Sequence, residues 1–194
     1  MAGGEGNRFG GPKADLLFLD EPLIARVVRH LSAVADHIVV VVAPIQDIDV
    51  ARFDGVRLLR DEASQRGPLA GLHQALRTLE TGVAVAVACD MPFLDPTVIR
   101  HQIRLLGAHQ ASIPVVDGRA QPLHGVYNVE CADVAYGLLR QGTRSLHALL
   151  DSLDVRFLDE REWQPLSPTG STFFNINTAH DMVEALELAE RLPR

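Results

Sequence analysis

Residues Met1-Ala2-Gly3-Gly4-Glu5-Gly6-Asn7-Arg8-Phe9-Gly10-Gly11-Pro12-Lys13 gather five glycines and two cations into one short segment. Small residues let backbone N–H groups close around phosphate oxygens, and Arg8 and Lys13 add the positive charge that a polyphosphate requires. The segment is not a Walker A loop, because Lys13 stands between Pro12 and Ala14 with no Gly-Lys-Ser/Thr. It is not G-x-G-x-x-G either, since Gly10 falls one place late after Gly4 and Gly6. Its plain alternative is an N-terminal arm without function. Of the 18 basic residues, 17 are Arg and only Lys13 is Lys. That bias suggests a place where a compact ammonium is wanted instead of a planar fork, with chance survival as the alternative.

Three further groups of residues could do chemistry. Asp90, in Cys89-Asp90-Met91-Pro92-Phe93, directly follows the apolar run Val83 to Ala88. A carboxylate at a strand end is held by rigid backbone and suits a magnesium ligand. The competing role is a helix cap, but Asp95 before Pro96 already fits that role. In Arg60-Asp61-Glu62-Ala63-Ser64-Gln65-Arg66-Gly67-Pro68-Leu69-Ala70-Gly71-Leu72, Gly67 and Gly71 flank a helix start, where free N–H groups attract anions. Read without ligand, the same glycines make a tight turn and a close packing contact. Finally, Asn175 and Asn177 sit one residue apart in Phe174-Asn175-Ile176-Asn177-Thr178. On a strand both amides would face one ligand, whereas Asn177 or Thr178 could equally cap the next helix. His30, His37, His73 and His101 lack metal spacing and read as structural, and Ser64, Ser145 and Ser171 lack a nucleophile signature.

The elements that must position these groups follow from hydrophobic periodicity. Val39 to Val42 and Val83 to Ala88 read as strands covered on both faces, as in a parallel sheet. Arg57 to Leu59, Leu123 to Tyr127 and Phe173 to Ile176 are shorter strand candidates. Helical spacing runs through Leu23 to Val34 after Pro22, Leu69 to Leu79, Pro96 to Leu106, Ala132 to Leu139, Leu146 to Leu153 and Ala179 to Glu190. The stretch Trp163 to Thr172 (WQPLSPTGST) reads as a mobile loop. Alternating strands and helices predict an α/β fold of three layers, a mostly parallel, Rossmann-like sheet with helices on both faces. Ligands then sit at the carboxyl ends of strands, where Asp90 and Gly67 fall. No linker or repeat divides residues 1–194, so one domain is expected. A sheet of this type needs a strand before its glycine-rich loop, so the natural chain is expected to begin upstream of Met1.

A net charge of -7 argues against nucleic acid, whose phosphates call for clustered Lys and Arg. Two cysteines, Cys89 and Cys131, are too few for a disulfide framework and form no C-x-x-C pair. No apolar stretch reaches membrane-span length, and Met1 to Glu5 has no signal-peptide pattern, so a cytoplasmic enzyme is expected.

Taken in order, MAGGEGNRFGGPKADL, PLIARVVRHL, GPLAGL, CDMPFL, QPLHGVYN and FFNINTAHDM resemble the molybdenum cofactor guanylyltransferases of the nucleotidyltransferase superfamily, over essentially the whole chain. The resemblance implies a single α/β domain of the nucleotide-diphospho-sugar transferase type. It also implies magnesium-dependent joining of GTP to molybdenum-molybdopterin with release of pyrophosphate. It places Met1, Ala2, Gly3, Gly4, Arg8 and Lys13 on the triphosphate, with Arg8 and Lys13 as the catalytic cations. Asp61, Gly67 and Gly71 line the nucleotide site, Asp90 binds Mg2+, and Asn175 and Asn177 lie on the acceptor side. Contact with cofactor-insertion machinery or target enzymes follows as an expectation. Gly6 and Phe9 stand where the family usually has Ser and Met, and Val41-Val42-Ala43-Pro44 lacks the family's strand-end Asn. Cobinamide-phosphate guanylyltransferases, molybdopterin cytidylyltransferases and a non-catalytic cofactor binder therefore stand as alternatives.

Overall fold

The apolar run after Gly82 alternates two sides of one sheet. In the computed structural model, which describes residues 13–43, 48, 53–60, 67–79 and 82–192, Val83–Val87 forms strand β5. Ala84 and Ala86 pack with helices α2 (Pro68–Leu76), α4 (Cys131–Arg140) and α5 (Leu146–Leu150) on one face. Val85 and Val87 pack with α1 (Leu23–Leu31) and α3 (Pro96–Leu106) on the other. Successive side chains of a strand point to opposite faces, so this single run specifies helix, sheet and helix as three layers.

Strand β8 (His124–Asn128) pairs antiparallel with both β5 and β6 (Ala111–Val116), so β5 and β6 run in the same direction. Strand β9 (Val155–Leu158) joins β6 in parallel. Strands β3 (Ile38–Val42) and β4 (Val56–Arg60) form a parallel pair in register Ile38 with Val56. Small hairpins add β1 (Leu17–Phe18) with β2 (Glu21–Pro22), and β7 (Arg119–Ala120) with the end of β6. A four-residue helix α6 (Glu160–Trp163) and a final helix α7 (Ala179–Arg191) complete the order. Among the described residues, no helix is long and apolar enough to cross a membrane.

Caps fall where the side chains dictate. The Asp95 carboxylate accepts the Thr97 N–H at 2.7 Å and starts α3 ahead of Pro96. Thr178 and Asp181 form a reciprocal capping box at α7, which settles which residue caps that helix.

Two expectations are corrected. Phe173 to Ile176 forms no strand: Ser171–Phe173 is a 3-10 turn, and the chain then runs extended without a ladder. Its backbone is claimed elsewhere, Phe174 N–H by the Ser171 carbonyl and Ile176 N–H by the Asp90 carbonyl at 2.9 Å. The expected mobile loop Trp163 to Thr172 is packed down instead. Trp163, Ser167 and Thr172 are buried, and the Trp163 indole N–H donates to the Val115 carbonyl at 3.0 Å. The indole ring meets Phe173 edge-on with centroids 4.9 Å apart.

A buried polar chain fastens this segment to the sheet. The Asp95 N–H donates to Thr172 Oγ1 (2.9 Å), and Thr172 Oγ1 lies 2.9 Å from His124 Nε2. His124 Nδ1 lies 3.0 Å from Gln102 Oε1, and Gln102 Nε2 donates to the His124 carbonyl at 2.7 Å. Every partner is satisfied if His124 is neutral with its proton on Nδ1. Burial depresses its pKa to about 4. The unfolded chain therefore binds a proton that the native one refuses. Stability from this site is full above pH 6.5 and falls, by about 3 kcal/mol in all, as pH drops toward 4. Urea titrations at pH 7.5 and 4.5 should show this loss in the wild type, on top of any carboxylate contribution, and a smaller loss in His124→Asn.

Gly125 is required by contact. A Cβ there would lie 2.5 Å from Ile113 Cδ1 and 2.9 Å from Tyr127 Cε2, both on fully buried side chains. Gly125→Ala is expected to cost about 2 kcal/mol of stability, read as a lowered urea midpoint at unchanged m-value.

Candidate active site

Three distant segments converge on one ammonium group. Lys13, on a 3-10 turn that precedes β1, places Nζ 2.7 Å from Asp90 Oδ2 and 2.6 Å from Asn177 Oδ1. Lys13 and Asp90 are 77 residues apart, and Lys13 and Asn177 are 164 apart. Asp90 is held twice over: it stands just past the end of β5, and its carbonyl takes the Ile176 N–H. Thr178 caps α7, so the Asn177 amide is left to meet Lys13.

The Asp90 carboxylate is half used. Its Oδ2 is paired with Lys13, while Oδ1 is buried and has no hydrogen-bond partner among the described residues. A buried, unpaired carboxylate oxygen costs free energy unless something binds it, and a hard divalent cation suits it. No cluster of three or more His, Cys, Asp or Glu with metal-binding geometry occurs among the described residues. A cation at Asp90 would therefore take its remaining oxygens from water and a bound ligand, the usual habit of Mg2+ with phosphates.

Asp90, Asn175 and Asn177 line a cleft of about 850 Å³, whose wall also includes Pro68, Gln121 and His147. Although the asparagines lie on no strand, both reach the same cleft, with the Asn175 amide steadied by donating to the Phe173 carbonyl at 2.9 Å. Gly67 opens α2 at the edge of this cleft with φ +114, a conformation that favours glycine. A Cβ at Gly67 would also press on Arg144 Cβ at 3.3 Å. Gly71 lies one turn into α2, buried, and its N–H donates to the Gly67 carbonyl at 3.3 Å. Met1, Ala2, Gly3, Gly4, Arg8 and Asp61 lie outside the described residues.

One wall of the cleft was not foreseen. Residues 118–123, on and after the β6–β7 hairpin, line it. Asp117 and Gly118 both have positive φ there, +49 and +72. An Asp-Gly pair after the apolar Val115-Val116 is a strong short-range hairpin signal, and it could have revealed this wall.

The buried thiols take no part in this chemistry. Burial raises Cys89 and Cys131 to about 11, so both stay protonated at neutral pH.

Comparison with known proteins identifies the family and the fold. Residues 1–157 match the family model described as the MobA-like NTP transferase domain. The molybdenum cofactor guanylyltransferase of Desulfosudis oleivorans is 32% identical over 95% of this chain and 91% of its own. A Natronomonas pharaonis protein named "Probable molybdenum cofactor guanylyltransferase" is 32% identical over 96% of this chain and 95% of its own. Among solved structures, molybdopterin-guanine dinucleotide biosynthesis protein A of Archaeoglobus fulgidus superposes with a TM-score of 0.81 at 28% identity, covering 98% and 97% of the two chains. At 16% identity, 2-C-methyl-D-erythritol 4-phosphate cytidylyltransferase of Thermus thermophilus shares the fold, with a TM-score of 0.73 over 92% and 94% of the chains. The chain has the nucleotide-diphospho-sugar transferase fold and belongs to the MobA-like NTP transferase family.

Proposed function

We propose that this chain transfers GMP from GTP to molybdenum-molybdopterin, releasing pyrophosphate and making molybdopterin guanine dinucleotide. The observation that carries the reading is the meeting of Lys13, Asp90 and Asn177 at one side of the 850 Å³ cleft. An oxygen of the acceptor's terminal phosphate forms a bond to the α-phosphorus of GTP, and the bond from the α-phosphorus to the bridging oxygen breaks. That acceptor oxygen is already anionic, so the protein supplies no base. Catalysis then rests on alignment and charge neutralisation.

In this reading Met1, Ala2, Gly3, Gly4 and Arg8 close on the triphosphate. Lys13 leaves Asp90 Oδ2 to neutralise charge on the departing pyrophosphate. Asp61, Gly67 and Gly71 line the nucleotide site. Asp90 holds Mg2+, which supplies Lewis-acid neutralisation of the phosphate oxygens when bound. Asp90 Oδ1, buried and without a hydrogen-bond partner among the described residues, supports that role. Asn175 and Asn177 face the acceptor. The product passes in the cytoplasm to insertion machinery or to an acceptor enzyme by transient contact.

Pyrophosphate release with each of the four nucleoside triphosphates, with and without molybdopterin, tests the proposal. GTP alone should support turnover, and only when the acceptor is present. Preference for CTP, turnover on cobinamide phosphate instead, or none at all would overturn it.

A further inference from the structure

The three segments that bring Lys13, Asp90 and Asn177 together also meet through their aromatic residues. Phe18 follows Lys13 by five residues, Phe93 follows Asp90 by three, and Phe174 precedes Asn177 by three. Phe18 meets Phe93 edge-on with centroids 5.5 Å apart, and Phe93 meets Phe174 likewise at 6.2 Å. Arg26 of α1 binds two of these segments to each other. Its Nε–H donates to the Pro92 carbonyl at 2.6 Å, two residues past Asp90. Its guanidinium carbon lies 5.2 Å from the centroid of the Phe18 ring, and Nη1 lies 3.4 Å from Glu21 Oε2 on β2.

We propose that Arg26 is a positioning residue for the reaction: it clamps the β1–β2 hairpin that follows Lys13 to the loop that follows Asp90, and so sets the contact between the two. The hairpin has two residues in each strand, too few to hold a place by its own ladder. Its position relative to β5 therefore depends on links such as this one. A guanidinium suits the task, because its plane covers a ring while separate N–H groups reach a carbonyl and a carboxylate, which a single ammonium cannot do. The Arg26 side chain is only 19% exposed, so its charge is spent inside the molecule and not on solvent. A misplacement of about 1 Å at a reacting group can cost about a hundredfold in rate, which gives a clamp of this kind a large lever. The inference rests on the reading of Lys13 and Asp90 as a working pair.

Lys13 is the only lysine in the chain, so the full protein labelled with 15N-lysine gives one side-chain ammonium resonance. Asp90→Asn supplies the reference position for a lysine without its ion pair. In ligand-free Arg26→Met, which keeps the length of the stem but none of its donors, the resonance should shift most of the way to that reference. Arg26→Lys, with one donor centre in place of several, should shift it in the same direction by less. This readout needs no substrate, so it decides the inference even if the assignment of GTP fails. Turnover supplies the second arm, measured with whichever nucleotide the wild type uses fastest. Arg26→Met should lower kcat at least about tenfold while KM for that nucleotide stays within about threefold. In a Lys13→Ala background the same substitution should cost no more than about twofold further, because the geometry it guards is already gone. A Lys13 resonance unmoved in both Arg26 variants overturns the proposal. So does an unchanged kcat, or a loss that multiplies in full with Lys13→Ala, since either leaves Arg26 a structural role alone.

Discussion

Lys13→Ala should yield a folded protein whose kcat/KM for GTP falls by at least about a hundredfold, the scale set by removing one preorganised charge donor from a transition state. The loss belongs in kcat more than in KM, because the ammonium rests on Asp90 and Asn177 before substrate arrives and is drawn onto charge only as pyrophosphate leaves. Far-UV circular dichroism should be unchanged, since Lys13 lies on a 3-10 turn outside the sheet. Lys13→Arg is the sharper variant. It keeps the charge but replaces a compact ammonium with a planar fork between two oxygens only 2.7 and 2.6 Å from Nζ. A loss of about tenfold or more is expected there as well. Near-normal turnover in either variant would deny Lys13 its role.

Asp90→Asn should be the more damaging change, on the order of a thousandfold in turnover, because it takes the charged oxygens from the proposed cation site. The substitution is isosteric and retains an oxygen for Lys13. The Asp90 carbonyl that takes the Ile176 N–H is backbone, so the fold around it persists. Binding of Mn2+ in the presence of GTP, followed by electron paramagnetic resonance, separates this role from a structural one. The wild type should bind the GTP-dependent ion, and Asp90→Asn should bind it at least about tenfold more weakly. Equal ion affinity in the two proteins would remove Asp90 from the metal site, whatever happened to activity.

How far these residues could be read in the sequence depended on what kind of signal they carry. Asp90 was legible because it ends an unbroken apolar run. Asp95 declared itself the α3 cap through Pro96, and the cap geometry bears that out. Lys13 stood out because every other cation is Arg. Such signals are local, and local chemistry is what a sequence states openly. The pairing of Phe173 to Ile176 was not legible. Aromatic and β-branched residues favour a strand anywhere, but whether a ladder forms depends on what lies alongside, and here Asp90 and Gly170 claim the backbone.

His124 escaped notice for a related reason. One histidine in a strand looks like any other until Gln102, Thr172 and the Asp95 N–H are seen closing around it. Strand β6 was missed because Pro114 interrupts its pattern, although Pro114 still takes part in the parallel pairing with β9 and its carbonyl accepts the Gln121 N–H.

The 2.7 Å contact between Lys13 and Asp90 is the claim on which the rest depends: the two side chains work as one device for gripping a polyphosphate. A double-mutant cycle in kcat/KM for GTP, using Lys13→Ala, Asp90→Asn and the double variant, tests it most directly. Coupled residues fail together, so the double variant should fall within about threefold of the worse single variant. Losses that multiply in full would show two independent residues and contradict the account.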